Sequence, residues 1–182
     1  MTTQVTRSRE AMIEFYRLHT GTRRRQGLPP QPISFFLNVQ KEIIDAGLGF
    51  VAVVARGART IAASVFFHLG KRAVYKFGAS DARFQQLRGS NLAMWEGIKW
   101  LAENGVEQLH FGRTSLQNQG LRRFKLGWGT DEQMIKYFKF DTATNTWVTA
   151  QDRVSGVYNA VFGRLPLVVN RWMGARIYPH LD

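Results

Sequence analysis

"GFVAVVARGARTIAASVFFHLGKRAVYKFGAS", residues 49–80, decides how this chain folds. It contains three runs rich in apolar, β-branched and aromatic residues: "GFVAVVARG", "TIAASVFFHL" and "RAVYKFGAS". A "GAR" turn parts the first two, and a turn around Gly70 parts the second from the third. Connections this short allow only chain reversal, so the stretch reads as an antiparallel meander.

Upstream, "SREAMIEFYRLHTGTRRR" places Met12, Phe15, Tyr16 and His19 at helical spacing, with Ser8 as cap. "GLPPQP" breaks the chain, and "ISFFLNVQKEIIDAG" reads as a second helix closed by Gly47. Downstream, "NLAMWEGIKWLAENG" is an amphipathic helix whose buried stripe is read as Leu92, Trp95, Ile98 and Leu101. "VEQLHFG" is a short strand reached through that helix, a crossover that favours parallel pairing. A short helix from Asn118 to Leu126 follows, then "QMIKYFKFD" as a further strand, turned by "TATN". The order of elements gives an α+β fold: a mixed, mostly antiparallel central sheet flanked by helices. Residues 1–150 are expected to form one domain. Residues 151–182 are read as a helical tail, packed on that domain or lying at a membrane surface.

The chain has 182 residues, 45% hydrophobic and 13% aromatic, enough for a buried core and too apolar for disorder. Cysteine is absent, which excludes disulfides, thiolate nucleophiles and cysteine zinc sites. "MTTQVTRSRE" has no apolar run of the signal-peptide kind, and no apolar stretch nears the roughly 20 residues of a membrane-spanning helix. A cytoplasmic location is expected, with peripheral attachment to the inner membrane face as its variant. The 25 Lys+Arg against 13 Asp+Glu give a net charge of +12, which attracts nucleic acid, an anionic membrane surface or phosphorylated small molecules.

Three places concentrate chemistry. "QQLRGSN", Gln86 to Asn91, lies between a strand and a helix N-terminus, where free amides and the helix dipole favour phosphate. Arg88 adds charge there, Gly89 lets a ligand approach the backbone, and Ser90 or Asn91 can cap. "FGRTSLQNQGLRRFKLGWG", residues 111–129, gathers Arg113, Asn118, Arg122, Arg123 and Lys125 among four glycines, a pattern suited to an anionic, phosphate-bearing ligand. His110 and His68 are strand histidines able in principle to act as a general base. The sequence holds no metal-ligand spacing and no Walker motif, so no metal is expected. In the tail, Arg164, Arg171 and Arg176 alternate with Phe162, Leu167, Val168, Trp172 and Ile177, a composition suited equally to an anionic membrane interface and to a helix packed on the sheet.

Taken together, "FYRLHTGTRRRQGLPPQPISFF", "AVYKFGAS", "RGSNLAMWEGIKWLAENG" and "HFGRTSLQNQGLRRFKLGWG" resemble the GNAT-like lobe of the FemAB family, the peptidoglycan-bridge aminoacyltransferases and related acyltransferases. Phe124-Lys125 shortly before Trp128-Gly129 is the pair of motifs that carries most of the likeness, which runs from about Arg9 to Phe140. The resemblance implies acyl or aminoacyl transfer to an amine by direct attack, in cell-envelope or polysaccharide assembly. It implies donor binding by Gln86, Arg88, Gly89, Ser90 and Asn91, although Asn91 stands where the GNAT pattern has Gly or Ala. It assigns Lys125 to the reacting acyl group or a substrate phosphate, and leaves His110 where relatives carry an acidic residue. Arg113, Asn118 and Arg122 are the expected ligands of the substrate phosphate. The donor is acyl-coenzyme A or aminoacyl-tRNA, with no tightly bound cofactor. FemAB proteins have two such lobes and this sequence spans one, so a homodimer or a missing second lobe is a further expectation. Two other readings stand beside this one: a non-catalytic nucleic-acid-binding domain, with Tyr75, Phe77 and Trp128 stacking on bases, and a membrane-associated interaction module.

Overall fold

The computed structural model describes residues 1–148 and 157–178. Five strands form the main sheet in the order β1 (Thr2–Thr6), β2 (Gly49–Arg56), β3 (Arg59–Leu69), β4 (Arg72–Ser80) and β5 (Gln108–His110). Every neighbouring pair is antiparallel except β4 and β5, which run parallel. The meander is therefore β2–β3–β4, and the crossover to β5 has the expected direction. β1 was not expected, because "TTQVT" is polar. It pairs along β2 as an exposed edge, where backbone hydrogen bonds rather than apolar burial hold it.

Helices cover both faces. On one lie α1 (Arg9–Arg25) and α2 (Ile33–Val39). The Ser8 hydroxyl accepts from the Ala11 amide at 3.2 Å and so starts α1, as its sequence predicts. Met12, Phe15, Phe36, Ile44, Val51, Ala63 and Val65 form the core on this side. After α2 the chain runs through one π-helical turn, Gln40–Ile44, before Gly47 reverses it at φ +78°.

The opposite face carries α3 (Gly89–Glu103). Its buried residues are Gly89, Ala93, Met94, Gly97 and Leu101, so the expected stripe is rotated and Trp95 is 53% exposed. Small residues cause the rotation. A Cβ on Gly97 would run into the Phe66 ring, and one on Gly89 would stand 3.1 Å from the Ala62 Cβ. The helix thus lies close to the sheet along its glycine–alanine side, and the indole is turned outward.

Two bulges break the sheet's regularity. The β2–β3 register skips Ile61, and the β3–β4 register skips Lys76 between Phe66↔Tyr75 and Val65↔Phe77. The β4–β5 ladder ends at Val74↔His110, so residues 75–80 of β4 have no β5 strand partner.

The chain divides into two compact units, Met1–Gly112 with Val157–Asp182 and Arg113–Gly156. The second contains α4 (Gln119–Leu126) and a small hairpin of β6 (Lys139–Asp141) and β7 (Thr146–Val148). Of the strand expected over 133–141, only the last three residues are extended and paired. Residues 131–140 are exposed throughout, so their alternation meets no surface that would bury one face.

The helices α5 (Val157–Arg164) and α6 (Leu167–Ile177), separated at Pro166, belong to the first unit and pack on α1. Their seat is the "GLPPQ" segment. The Asn159 amide donates to the Gln26 carbonyl at 3.1 Å, and Gly174 lies so near the Pro30 carbonyl that a Cβ would collide with it. Arg171 stacks 5.0 Å from the Tyr16 ring centre, and the Gln31 amide donates to the Tyr178 hydroxyl at 3.3 Å. No helix among the described residues is long and apolar enough to cross a membrane.

Candidate active site

The junction from β4 to α3 is the candidate site of the first unit. A 3₁₀ turn, Ala82–Leu87, starts at Asp81, whose carboxylate accepts from the Arg83 amide at 3.1 Å. Arg88 then takes a left-handed conformation at φ 53°, ψ 32°, and stands as the N-cap of α3. No side chain caps this helix, so neither Ser90 nor Asn91 fills that role. The Arg88 carbonyl accepts from Asn91 at 3.0 Å and Leu92 at 3.3 Å, which leaves the Gly89 and Ser90 amides without intrahelical partners. A non-glycine residue held left-handed, directly before unclaimed amides at a helix start, is a backbone arrangement suited to an anion.

Gln86, Arg88 and Asn91 are exposed at this junction and Ser90 is partly so. Gly89 is buried, and its missing side chain makes room for Ile61 and Ala62 of β3. Arginines that sequence reasoning passed over stand at the same junction. Arg59 and Arg83 share the single carboxylate of Asp81 at 3.0 and 2.7 Å, and Arg56 and Arg59 each lie 5.8 Å from the Phe84 ring centre. Arg25, at the end of α1, donates to the Ser80 carbonyl at 2.8 Å and sits within the field of Asp81. One carboxylate among these cations leaves a strongly positive local field.

His110 ends β5 with its side chain exposed, and its Nδ1 accepts from the Gly112 amide at 3.0 Å. That contact occupies the Nδ1 lone pair. His68 packs its ring 5.4 Å from Trp100 and 6.3 Å from Phe50, and burial lowers its pKa. The side chain is half-buried against these rings.

In the second unit, Lys125 is 9% exposed, and its Nζ donates to the Arg113 carbonyl at 3.2 Å. Burial lowers its pKa below the ordinary lysine value. The other three residues read as phosphate ligands have different occupations. The Asn118 Oδ1 accepts from the Leu121 amide at 3.1 Å, so Asn118 caps α4. Arg122 makes a two-pronged pair with Glu132, at 2.7 and 3.0 Å from Nε and 2.7 Å from the terminal nitrogen. Arg113 stacks 4.9 Å from the Tyr137 ring centre. A cap gives Asn118 a structural reason for its place before "QGLRR", and Glu132 neutralises the cation that the sequence offered to a phosphate. Among the described residues, no three histidines or carboxylates stand together as a metal site.

Residues 1–137 of the chain match the family model described as acetyltransferase (GNAT) domain. No curated protein matches the sequence. Among solved structures, the ribosomal-protein-S18-alanine N-acetyltransferase of Escherichia coli has a TM-score of 0.60 at 14% identity, covering 80% of this chain and 88% of that one. AAC(6')-Iy, solved with the bisubstrate analog CoA-S-monomethyl-acetylneamine, has a TM-score of 0.59 at 14% identity, with 76% and 99% covered. FemX has a TM-score of 0.62 at 18% identity, with 70% of this chain and 50% of FemX covered, so the chain spans about half its length. At these identities the likeness to the solved structures is one of fold. The sheet with its β4–β5 crossover and the match over 1–137 lead to one assignment: the chain belongs to the acetyltransferase (GNAT) domain family.

Proposed function

We propose that this protein is an N-acyltransferase that moves an acyl group from acyl-coenzyme A to an amine. The observation that carries the reading is the uncapped start of α3, with two unclaimed amides beside Arg88 and a strongly cationic junction. A pyrophosphate matches it in charge and in hydrogen-bond demand. Gln86, Arg88, Ser90 and Asn91 are the residues we assign to the donor, with Gly89 allowing α3 to sit close to β3.

In the reaction the amine nitrogen attacks the thioester carbonyl carbon. A C–N bond forms, the C–S bond breaks, and the electron pair leaves on sulfur. The amine loses a proton and the coenzyme A thiolate gains one. The chain has no cysteine, so an enzyme thioester plays no part. Positioning and electrostatics supply the rate enhancement. Lys125 is assigned to the reacting acyl group on the Phe124-Lys125 and Trp128-Gly129 resemblance, and its burial supports a charge kept out of bulk water. The FemAB resemblance also supports an acceptor amine from cell-envelope or polysaccharide assembly.

Calorimetric titration with acetyl-coenzyme A, repeated with bulk tRNA at low and physiological salt, tests the donor. Saturable one-to-one binding of acetyl-coenzyme A is expected. A ligand at 100 times its Kd adds about 2.7 kcal/mol to stability, which a thermal melt reads directly. Binding of tRNA alone, with steep salt dependence, would overturn the acyl-coenzyme A reading and favour an aminoacyl donor or an RNA-binding module.

A further inference from the structure

The outward side of α6 has no part in the site above. Successive helix residues turn by about 100°, so Val168, Trp172 and Ala175 share one side, opposite the buried Asn170 and Gly174 that face the first unit's core. Val168 is 78% exposed and Trp172 60%, and Val161 on α5 is 53% exposed. A valine and an indole adjacent on one helix side form an exposed apolar stripe, the kind of surface that marks an interaction site.

Charge identifies what that surface meets. Arg171 and Arg176 lie on either side of the Val168–Trp172 stripe; the Arg176 guanidinium sits 5.3 Å from the Trp172 ring centre, and that of Arg171 lies over Tyr16 of α1. The described residues 157–178 include three arginines and no aspartate or glutamate. A second copy of the same face would bring arginines against arginines with no carboxylate to meet them. A nucleic acid would leave Val168 and Val161 with nothing apolar to bury against. An anionic lipid surface satisfies both demands at once: phosphates for the guanidinium groups, acyl and glycerol carbons for the indole and the valines.

We propose that the outward face of α6, Val168–Trp172–Ala175 flanked by Arg171 and Arg176, seats this protein on an anionic lipid bilayer. Trp172 enters the headgroup region as an amphipathic anchor, and α6 lies parallel to the surface because its other side is fixed to α1 and to Pro30. The seating is independent of the acyl-transfer reading.

Vesicle co-sedimentation of the full chain tests it, comparing phosphatidylcholine vesicles with mixed phosphatidylcholine–phosphatidylglycerol vesicles. Binding to the mixed vesicles only, weakened by salt, is expected. Arg176→Gln should weaken it about fivefold, the ordinary contribution of one arginine at an anionic surface. Trp172→Ser with Val168→Ser should weaken it by about tenfold or more, while a urea melt of that variant stays parental because both side chains are already exposed. Equal binding to both vesicle types, no binding to either, or parental binding by the double variant would each overturn the proposal. So would a dimer that the double variant dissolves, since it would give the face to a second copy.

Discussion

Arg88→Gly is expected to move stability and donor affinity in opposite directions. Arg88 holds φ 53°, a left-handed backbone that only glycine adopts without a steric penalty. The penalty for an ordinary L-residue is about 1–2 kcal/mol. Glycine loses more conformational freedom on folding, which takes back roughly 0.5–1 kcal/mol. The balance is a gain of about 0.5–1 kcal/mol, or a rise in Tm of roughly 1–4 °C for a chain of this size. The same change removes a guanidinium from the start of α3. Hydrogen bonds to charged groups contribute about 1.5–3 kcal/mol, and discounted for an exposed side chain this becomes about tenfold weaker acetyl-coenzyme A binding. Arg88→Ala is the comparator, because it deletes the cation and keeps the strained backbone. It should bind as weakly as the glycine variant while melting at or below the parental temperature. Differential scanning calorimetry and isothermal titration read the two effects separately. A glycine variant that melts below the alanine variant would refute the strain argument. Parental affinity in both would remove Arg88 from the donor site.

Three further outcomes follow from the same structure. Gly174→Ala, which in an open helix adds about 1 kcal/mol, should instead destabilise by about 1–3 kcal/mol, because the new methyl meets the Pro30 carbonyl; faster proteolysis of the tail is the readout, and a parental digestion pattern would contradict the contact. His19 is buried among Phe15, Phe36 and Phe77, its Nε2 lies 2.8 Å from Gln31, and desolvation lowers its pKa to about 4. The unfolded chain takes up that proton near pH 6.5 and the folded one near pH 4, so stability is lost as pH drops from 6.5 to 4, by about 3 kcal/mol in all. Urea melts against pH should show this slope, and His19→Gln should flatten it. Lys125→Met keeps the buried stem and deletes the charge; turnover with an acceptor amine should fall at least tenfold while acetyl-coenzyme A affinity holds, and unchanged turnover would leave Lys125 as a strap to the Arg113 carbonyl.

The parts of the fold legible in the sequence are those where one local cause dominates. Ser8 starts α1 through its own hydroxyl, and the turns around 57–59 and at Gly70 leave the meander no alternative. The misread parts depend on neighbours far along the chain. The phase of α3 is set by Phe66 and Ala62 pressing on Gly97 and Gly89, contacts that an amphipathic count cannot see. β1 exists because β2 offers an open edge, not because "TTQVT" is apolar. In the site, the placement of residues 86–91 at a helix start follows from the order of strand and helix in the sequence. The partner of Arg122 was not legible, since Glu132 lies ten residues on, beyond the end of α4 and the turn after it. The seating of α5 and α6 on "GLPPQ" was equally hidden, because the sequence presents that stretch only as a break.

The bulge at Lys76 has a consequence for how this strand tolerates change in length. In a regular strand, losing one residue turns every later side chain to the wrong face. Here Tyr75 already pairs with Phe66 and Phe77 with Val65, so removing Lys76 would join two positions whose partners are adjacent. Phe77 and Ala79 would keep their places in the core and Gly78 its place on the α3 side. Deletion of this one codon is thus a lesion the core can absorb. It would straighten β4 over residues 75–80, which have no β5 partner, and lineages that shed it would keep the scaffold while changing the strand edge that leads to α3.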